Sequence, residues 1–110
     1  MPQKPETIFA DKFRKLLNNL PGYIYYHRTQ EVAKIGIPDF YICYRGYFIL
    51  VELKTDVGET TRLQDYHLGK AFAAGGIAAR VTPSTVDEFL LFLIKLKPIK
   101  APLLNRTFFP

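Results

Sequence analysis

The spacing of hydrophobic residues divides the chain into alternating helical and strand-like segments. Residues 6–20 predict a helix, because their apolar residues recur at helical spacing on one stripe and Pro21-Gly22 follows them. Residues 23–27 are mostly aromatic and favour a strand. The polar residues 28–36 show no period and predict a loop.

A hairpin is predicted next. Residues 37–44 and 47–55 read as two strands joined by Arg45-Gly46, a two-residue connection. The second strand begins with five consecutive apolar residues, 47–51, which indicates a central strand covered on both faces. We expect Cys43, in the first strand, to be buried.

The rest of the chain predicts a helix, a strand and a final helix. The first helix starts at Thr60 or Thr61 and runs to about Ala74, where Gly75-Gly76 ends it. Residues 77–81 form a short strand, and residues 85–96 form a helix that begins at Ser84 or Thr85. The order αβββαβα predicts an α/β fold with a mixed sheet of about four strands flanked by helices. Residues 1–97 form one domain, and residues 98–110 are an irregular tail.

Composition narrows the classes of function. The 110 residues carry a net charge of +5, which favours a polyanionic partner such as nucleic acid, although many small proteins are basic for solubility alone. One cysteine excludes an intrachain disulfide and a cysteine-based zinc cluster. No apolar run approaches the roughly 20 residues of a membrane span, and the N-terminus lacks the layout of a secretion signal. We therefore expect an intracellular protein with no membrane partner.

Three polar residues of the hairpin point to catalytic chemistry. Asp39 starts the first strand, and pairing across the turn brings it opposite Glu52 near the end of the second. Alternation of side chains puts Lys54 on the same face as Glu52. Two carboxylates, with a backbone carbonyl such as that of Leu53, suit Mg²⁺, and a nearby lysine can orient or deprotonate water.

An ordinary interpretation of the same residues exists. Glu-x-Lys is common on solvated strand edges, and Pro-Asp commonly marks a turn. Here Glu52 directly follows five apolar residues. A charge at the end of a buried strand lowers stability, so its presence indicates a function. The functional interpretation is therefore favoured.

Gly36-Ile37-Pro38-Asp39 followed by Val51-Glu52-Leu53-Lys54 resembles the PD-(D/E)XK nuclease superfamily, and most of all its virus-type replication-repair nuclease (VRR-NUC) domain. The resemblance covers roughly residues 6–95 and implies a restriction-endonuclease-like core. It implies that Asp39 and Glu52 bind the metal and that Lys54 assists the nucleophile. It also implies an acid on the first helix, Glu6 or alternatively Asp11, and a glutamine early on the following helix, which Gln64 matches. Glu6 and Asp11 could equally be ordinary surface acids near a helix N-terminus.

The resemblance further implies a Mg²⁺-dependent endodeoxyribonuclease, able to use Mn²⁺, that acts in DNA repair or recombination in the cytoplasm of a bacterium or a phage-infected host. Similarity to Holliday junction resolvases implies a homodimer that cuts branched DNA. The alternatives are a non-catalytic nucleic-acid-binding module on a nuclease fold and a restriction-type endonuclease. Basic residues that flank the site in sequence are candidate phosphate contacts: Arg28, Lys34, Arg45, Arg62 and Lys70.

Overall fold

The computed structural model describes residues 5–29, 39–55 and 62–99, with the side chains of Glu6 and Arg62 left out. Its elements follow the predicted order αβββαβα. They are α1 (Pro5–Asn18), β1 (Ile24–Arg28), β2 (Phe40–Tyr44), β3 (Tyr47–Leu53), α2 (Arg62–Ala73), β4 (Ile77–Val81) and α3 (Val86–Ile94).

The strands form one mixed sheet in the order β1-β2-β3-β4. The first three strands are antiparallel neighbours, and β4 lies parallel to β3. Residues 49–53 of β3 are all buried, since β3 lies inside the sheet with packing on both faces. The expected α/β class, the mixed four-stranded sheet and the central position of β3 are therefore confirmed.

Helices cover the two faces of the sheet unequally. On one face, α1 and α3 pack together over the sheet, and the ring centres of Phe13 and Phe89 lie 6.0 Å apart above the fully buried Phe40. On the other face, α2 packs against β3 and β4. Because α2 lies over these two strands, the β1–β2 half of this second face remains exposed, as the alternating burial of both strands shows.

The turn between β2 and β3 requires left-handed backbone at both of its residues. Arg45 has φ +54° and Gly46 has φ +88°, as a two-residue hairpin turn demands. The guanidinium of Arg45 donates to the main-chain oxygens of Ile94 and Leu96 at the end of α3. Its main-chain oxygen accepts a hydrogen bond from Ile99 N–H at 2.9 Å. Arg45 therefore lies at the far end of the hairpin from Asp39 and has a structural task, and its phosphate contact stays a prediction.

Several predicted boundaries need correction. Cys43 is exposed, not buried, because none of the described helices lies over the β1–β2 half of its face. β1 continues to Arg28, one residue into the predicted loop, and α1 ends at Asn18 rather than at residue 20. Thr85 is the N-cap of α3, but its hydroxyl accepts from Thr82 N–H at 3.0 Å and makes no side-chain cap bond.

One further prediction is confirmed, and several others concern residues outside the described ranges. The predicted end of α2 is confirmed: Gly75 has φ +98°, and Gly76 N–H donates to the oxygen of Ala71 at 2.9 Å. The start of the first hairpin strand at residue 37, the caps Thr60 and Thr61, and tail residues 100–110 lie outside the described residues. No helix in the described ranges is long and apolar enough to cross a membrane.

Candidate active site

The β2–β3 register brings the predicted carboxylates together. Phe40 pairs with Val51, so the preceding Asp39 lies across from Glu52. One oxygen of Asp39, Oδ2, accepts the Leu53 N–H at 2.7 Å. The main-chain oxygen of Asp39 accepts the Thr29 N–H at 2.8 Å, which ties it to the end of β1 as well. Asp39 is therefore held from both neighbouring strands.

Glu52 is almost completely buried, with 3% of its surface exposed. Its Oε1 accepts a 2.6 Å hydrogen bond from Nε2 of Gln64, which is itself buried in the first turn of α2. The Nζ of Lys54 lies 3.9 Å from the same Oε1. β3 ends at Leu53 rather than at the predicted residue 55, so Lys54 directly follows the strand. The second oxygen, Oε2, is buried and has no hydrogen-bond partner within the described ranges. A buried carboxyl oxygen left in this way is unfavourable unless a proton or a cation occupies it.

The two carboxyl groups have perturbed acidity. Burial, followed by the charge of Asp39, raises the pKa of Glu52 from 4.5 to about 8, while the charge of Lys54 opposes the rise. Burial also raises the pKa of Asp39 above its ordinary value, while the Leu53 N–H lowers it. Two acids that share one site cannot easily both ionise. The metal-free site therefore favours a proton on Glu52.

A small cavity of about 70 Å³ adjoins Asp39, with room for a few water molecules. It is lined by Thr7, Phe9, Ala10, Arg28, Asp39, Leu53, Lys54 and Thr55. Glu52 is not among these lining residues. Asp39, Glu52 and the Leu53 carbonyl are the oxygen groups of the site that could hold a hard cation. Within the described ranges, no group of three or more His, Cys, Asp or Glu side chains is arranged to hold a metal. The predicted ligand Glu6 has its side chain outside that description.

The structure brings two further predicted residues to the site. Gln64 contacts Glu52 directly. Arg28 is half-buried at the end of β1, lines the same cavity, and its charge lowers the pKa of Asp39 against the effect of burial. Asp11, the alternative acid on α1, has its Oδ1 3.5 Å from a guanidinium nitrogen of Arg28 and is absent from the cavity lining. Asp11 therefore contacts Arg28 rather than the carboxylate pair.

Of the remaining basic candidates, only Lys70 has a described side chain, and it is not brought to the carboxylates. Lys70 lies six residues after Gln64, about 9 Å further along the helix axis, and its Nζ is 5.9 Å from the centre of the Tyr66 ring. Lys34 and the side chain of Arg62 lie outside the described part of the chain.

Sequence reasoning missed Arg80 and Thr7. Arg80 pairs with Glu52 across the parallel β3–β4 ladder, lowers the pKa of Glu52, and forms an ion pair with Asp65. Its place depends on the register of a strand joined through α2, which the sequence does not reveal. Thr7 lines the cavity from the first turns of α1, and the apolar stripe of that helix, which predicts its buried face, gives no signal for it.

Comparison with known proteins yields no match to a family model, to a curated protein or to a solved structure.

Proposed function

We propose that this chain is a metal-dependent endodeoxyribonuclease whose active site comprises Asp39, Glu52, Lys54 and Gln64. The observation that carries the proposal is the juxtaposition of the almost completely buried Glu52 with a second carboxylate, Asp39, and with Lys54. A fold that needed only a neutral polar residue here would be more stable with an amide or an apolar side chain. The buried Glu52, beside the half-buried Asp39 and a lysine, suits cation binding and phosphoryl chemistry.

The donor set fits a hard divalent cation. Asp39, Glu52 and the Leu53 carbonyl offer oxygen ligands of the kind that Mg²⁺ uses, with the remaining positions left to water, and Mn²⁺ accepts similar ligands. When bound, the cation would supply positive charge to the scissile phosphate and to the attacking water. Glu6 on α1 is the proposed additional ligand.

The other side chains have separate tasks in this proposal. Gln64 holds Oε1 of Glu52 through a hydrogen bond, and Oε2 would be the oxygen that binds the cation. Lys54 lies close enough to the carboxylates to orient the attacking water and to accept or share its proton. Arg28, on the cavity wall, would contact a non-bridging phosphate oxygen, and Lys34, Arg62 and Lys70 are proposed contacts to more distant phosphates.

The proposed substrate is branched DNA, including four-way junctions, and the proposed assembly is a homodimer whose two sites cut paired strands. Both rest on the sequence resemblance. Light scattering of the purified chain tests the dimer directly, because a mass of 12.7 kDa identifies the monomer.

The cleavage test uses linear duplex, flap and four-way-junction DNA with Mg²⁺, with Mn²⁺ and with EDTA. We expect metal-dependent cutting of the branched substrates. Asp39→Asn and Lys54→Ala should each reduce the cleavage rate by on the order of 10²-fold or more, because each removes a group that acts on the reacting phosphate or water.

Matched controls lie on α3 and at its C-cap, on the opposite face of the sheet. Asp87→Asn and Lys95→Ala make the same chemical changes at exposed positions and should leave cleavage unchanged. Undiminished cleavage by Asp39→Asn or Lys54→Ala would show that the site assignment is wrong. Binding of junctions with no cutting under any metal would instead support a non-catalytic binding module.

A further inference from the structure

The face of the sheet that carries the carboxylates also carries a row of exposed rings. Strand register and side-chain alternation place Tyr25, Cys43 and Phe48 in one row and His27 and Tyr41 in the next. We call these five residues the open face. The row after His27 and Tyr41 contains Asp39 and Glu52, so the open face continues directly into the candidate active site.

Most of the open face lies on β1 and β2. It is accessible because α2, the helix on this side of the sheet, packs on β3 and β4 instead. Tyr25 is 74% exposed, Phe48 48% and Tyr41 38%, and His27 and Cys43 are exposed as well. The rings of Tyr41 and Phe48 lie nearly parallel, with an interplanar angle of 27°. Successive rows along a strand are about 7 Å apart, so Tyr41 lies one row from the carboxylates and Phe48 lies two rows away.

The chemistry of this face matches nucleobases. Four of its five side chains are aromatic rings, none is aliphatic, and none is acidic. Aromatic side chains on an exposed sheet bind unpaired bases by stacking, whatever the base. The basic residues at the site end, Arg28 and Lys54, and the net charge of +5 complement the phosphates of the same strand.

We propose that the open face binds the unpaired bases next to the scissile phosphate, so that the substrate must carry single-stranded nucleotides beside the cut. This inference rests on the proposed nuclease function. Paired bases within a duplex are already stacked on each other and do not present free ring faces to a protein. A flap or a single-stranded branch fits the open face, whereas a continuous duplex does not.

The single cysteine of the chain, Cys43, lies in the middle of the open face and reports its occupancy. The test measures the alkylation rate of the Cys43 thiol in EDTA, alone and with a short oligothymidylate. A sugar-phosphate oligomer of the same length without bases serves as the matched ligand. We expect a reactive thiol in the free protein, protection by oligothymidylate, and much weaker protection by the abasic oligomer.

Three results would overturn the inference. No protection by oligothymidylate excludes base binding at this face. Equal protection by both oligomers shows recognition of phosphates without stacking. An unreactive thiol in the free protein shows that another part of the chain or a second copy covers the face, and light scattering tells these two apart.

Substitutions test the rings themselves. Tyr41→Ala should weaken oligothymidylate binding on the order of tenfold, whereas Tyr41→Phe, which keeps the ring, should bind normally. Phe72→Ala, which removes an exposed ring from α2, is the control and should have no effect. Equal binding by Tyr41→Ala and the wild type would contradict the inference.

The same measurements separate this inference from the proposed function. Oligonucleotide binding in EDTA, with no cleavage in Mg²⁺ or Mn²⁺, would refute the nuclease function and support base binding at the open face. Cleavage of continuous duplex, with no protection of Cys43 by oligothymidylate, would support the nuclease function and refute base binding at the open face.

Discussion

Replacing Glu52 with glutamine should stabilise the metal-free protein at neutral and alkaline pH. The folded protein holds Glu52 in a buried position where its pKa rises to about 8, from 4.5 in the free side chain. Glutamine has nearly the same shape, keeps an oxygen that can accept the hydrogen bond from Gln64, and never ionises. The variant therefore removes an electrostatic penalty without creating a cavity.

The size of the effect follows from the linkage between proton binding and folding. Below pH 4.5 both the folded and the unfolded chain hold the proton on Glu52, so its full contribution to stability is present. As the pH rises toward 8, the unfolded chain releases that proton and the folded protein keeps it, and stability falls by about 1.4 kcal/mol per pH unit. For a pKa of about 8 in the folded protein, the expected loss is about 3 kcal/mol at pH 7 and approaches about 5 kcal/mol above pH 8. The raised pKa of Asp39 acts in the same direction.

The measurement is urea unfolding in EDTA at pH 5, 7 and 8.5, followed by circular dichroism. We expect wild type and Glu52→Gln to have similar free energies of unfolding at pH 5 and to diverge as pH rises, with the variant more stable. Adding Mg²⁺ or Mn²⁺ at pH 8.5 should stabilise the wild type and leave the variant nearly unchanged, because a cation that binds only the folded state adds its binding free energy to folding.

Glu88→Gln is the control, since it makes the same change at an exposed position in the first turn of α3. It should not reproduce the divergence with pH. If wild type and Glu52→Gln keep the same difference in stability from pH 5 to pH 8.5, then Glu52 carries no burial penalty and the electrostatic description of the site is wrong.

Three other substitutions test the surrounding structure. Gln64→Leu should lower the cleavage rate while most of the protein stays folded, because the change removes the hydrogen bond to Oε1 of Glu52 without exposing the core. If the unfolded fraction of the variant alone accounts for the lost cleavage, Gln64 has no positioning role. Gly46→Ala should destabilise the protein by about 1–3 kcal/mol in urea unfolding, since φ is +88° and the added Cβ would lie 2.8 Å from Cβ of Ile99; unchanged stability would refute the turn geometry. Phe13→Ala, at a fully buried position, should cost about 3–5 kcal/mol, and a loss below 1 kcal/mol would show that its contacts are not formed.

The hairpin explains why the carboxylate pair could be predicted from the sequence. A two-residue turn at Arg45-Gly46 leaves a single register, in which Tyr44 pairs with Tyr47 and each further step outward adds one residue on each side. Counting outward from the turn brings Asp39 opposite Glu52. Alternation then fixes the face of Lys54. Only local geometry enters these steps, and local geometry is what a sequence pattern encodes.

The features that the sequence did not predict depend on packing between elements that are distant in the chain. The register of β4 against β3 depends on how α2 packs, so the pairing of Arg80 with Glu52 could not be read from the chain. The exposure of Cys43 depends on which half of the sheet α2 covers. Sequence periodicity correctly separates the two faces of β2, but it does not say which face a helix will cover.

Hydrogen bonds from several elements of the fold fix the positions of Asp39 and Glu52. A buried carboxylate is tolerated only if the surrounding structure over-determines its place. Here Asp39 is bonded to the main chain of Leu53 and of Thr29, and Glu52 is bonded to Gln64. Three strands and one helix therefore converge on two acids that lower the stability of the metal-free fold. Rigid neighbours hold the donor oxygens in one geometry, so a cation would meet preformed ligands rather than reorganise them. A bound cation would relieve this unfavourable free energy, so a variant that neutralises Glu52 should gain stability in the metal-free protein and lose metal affinity.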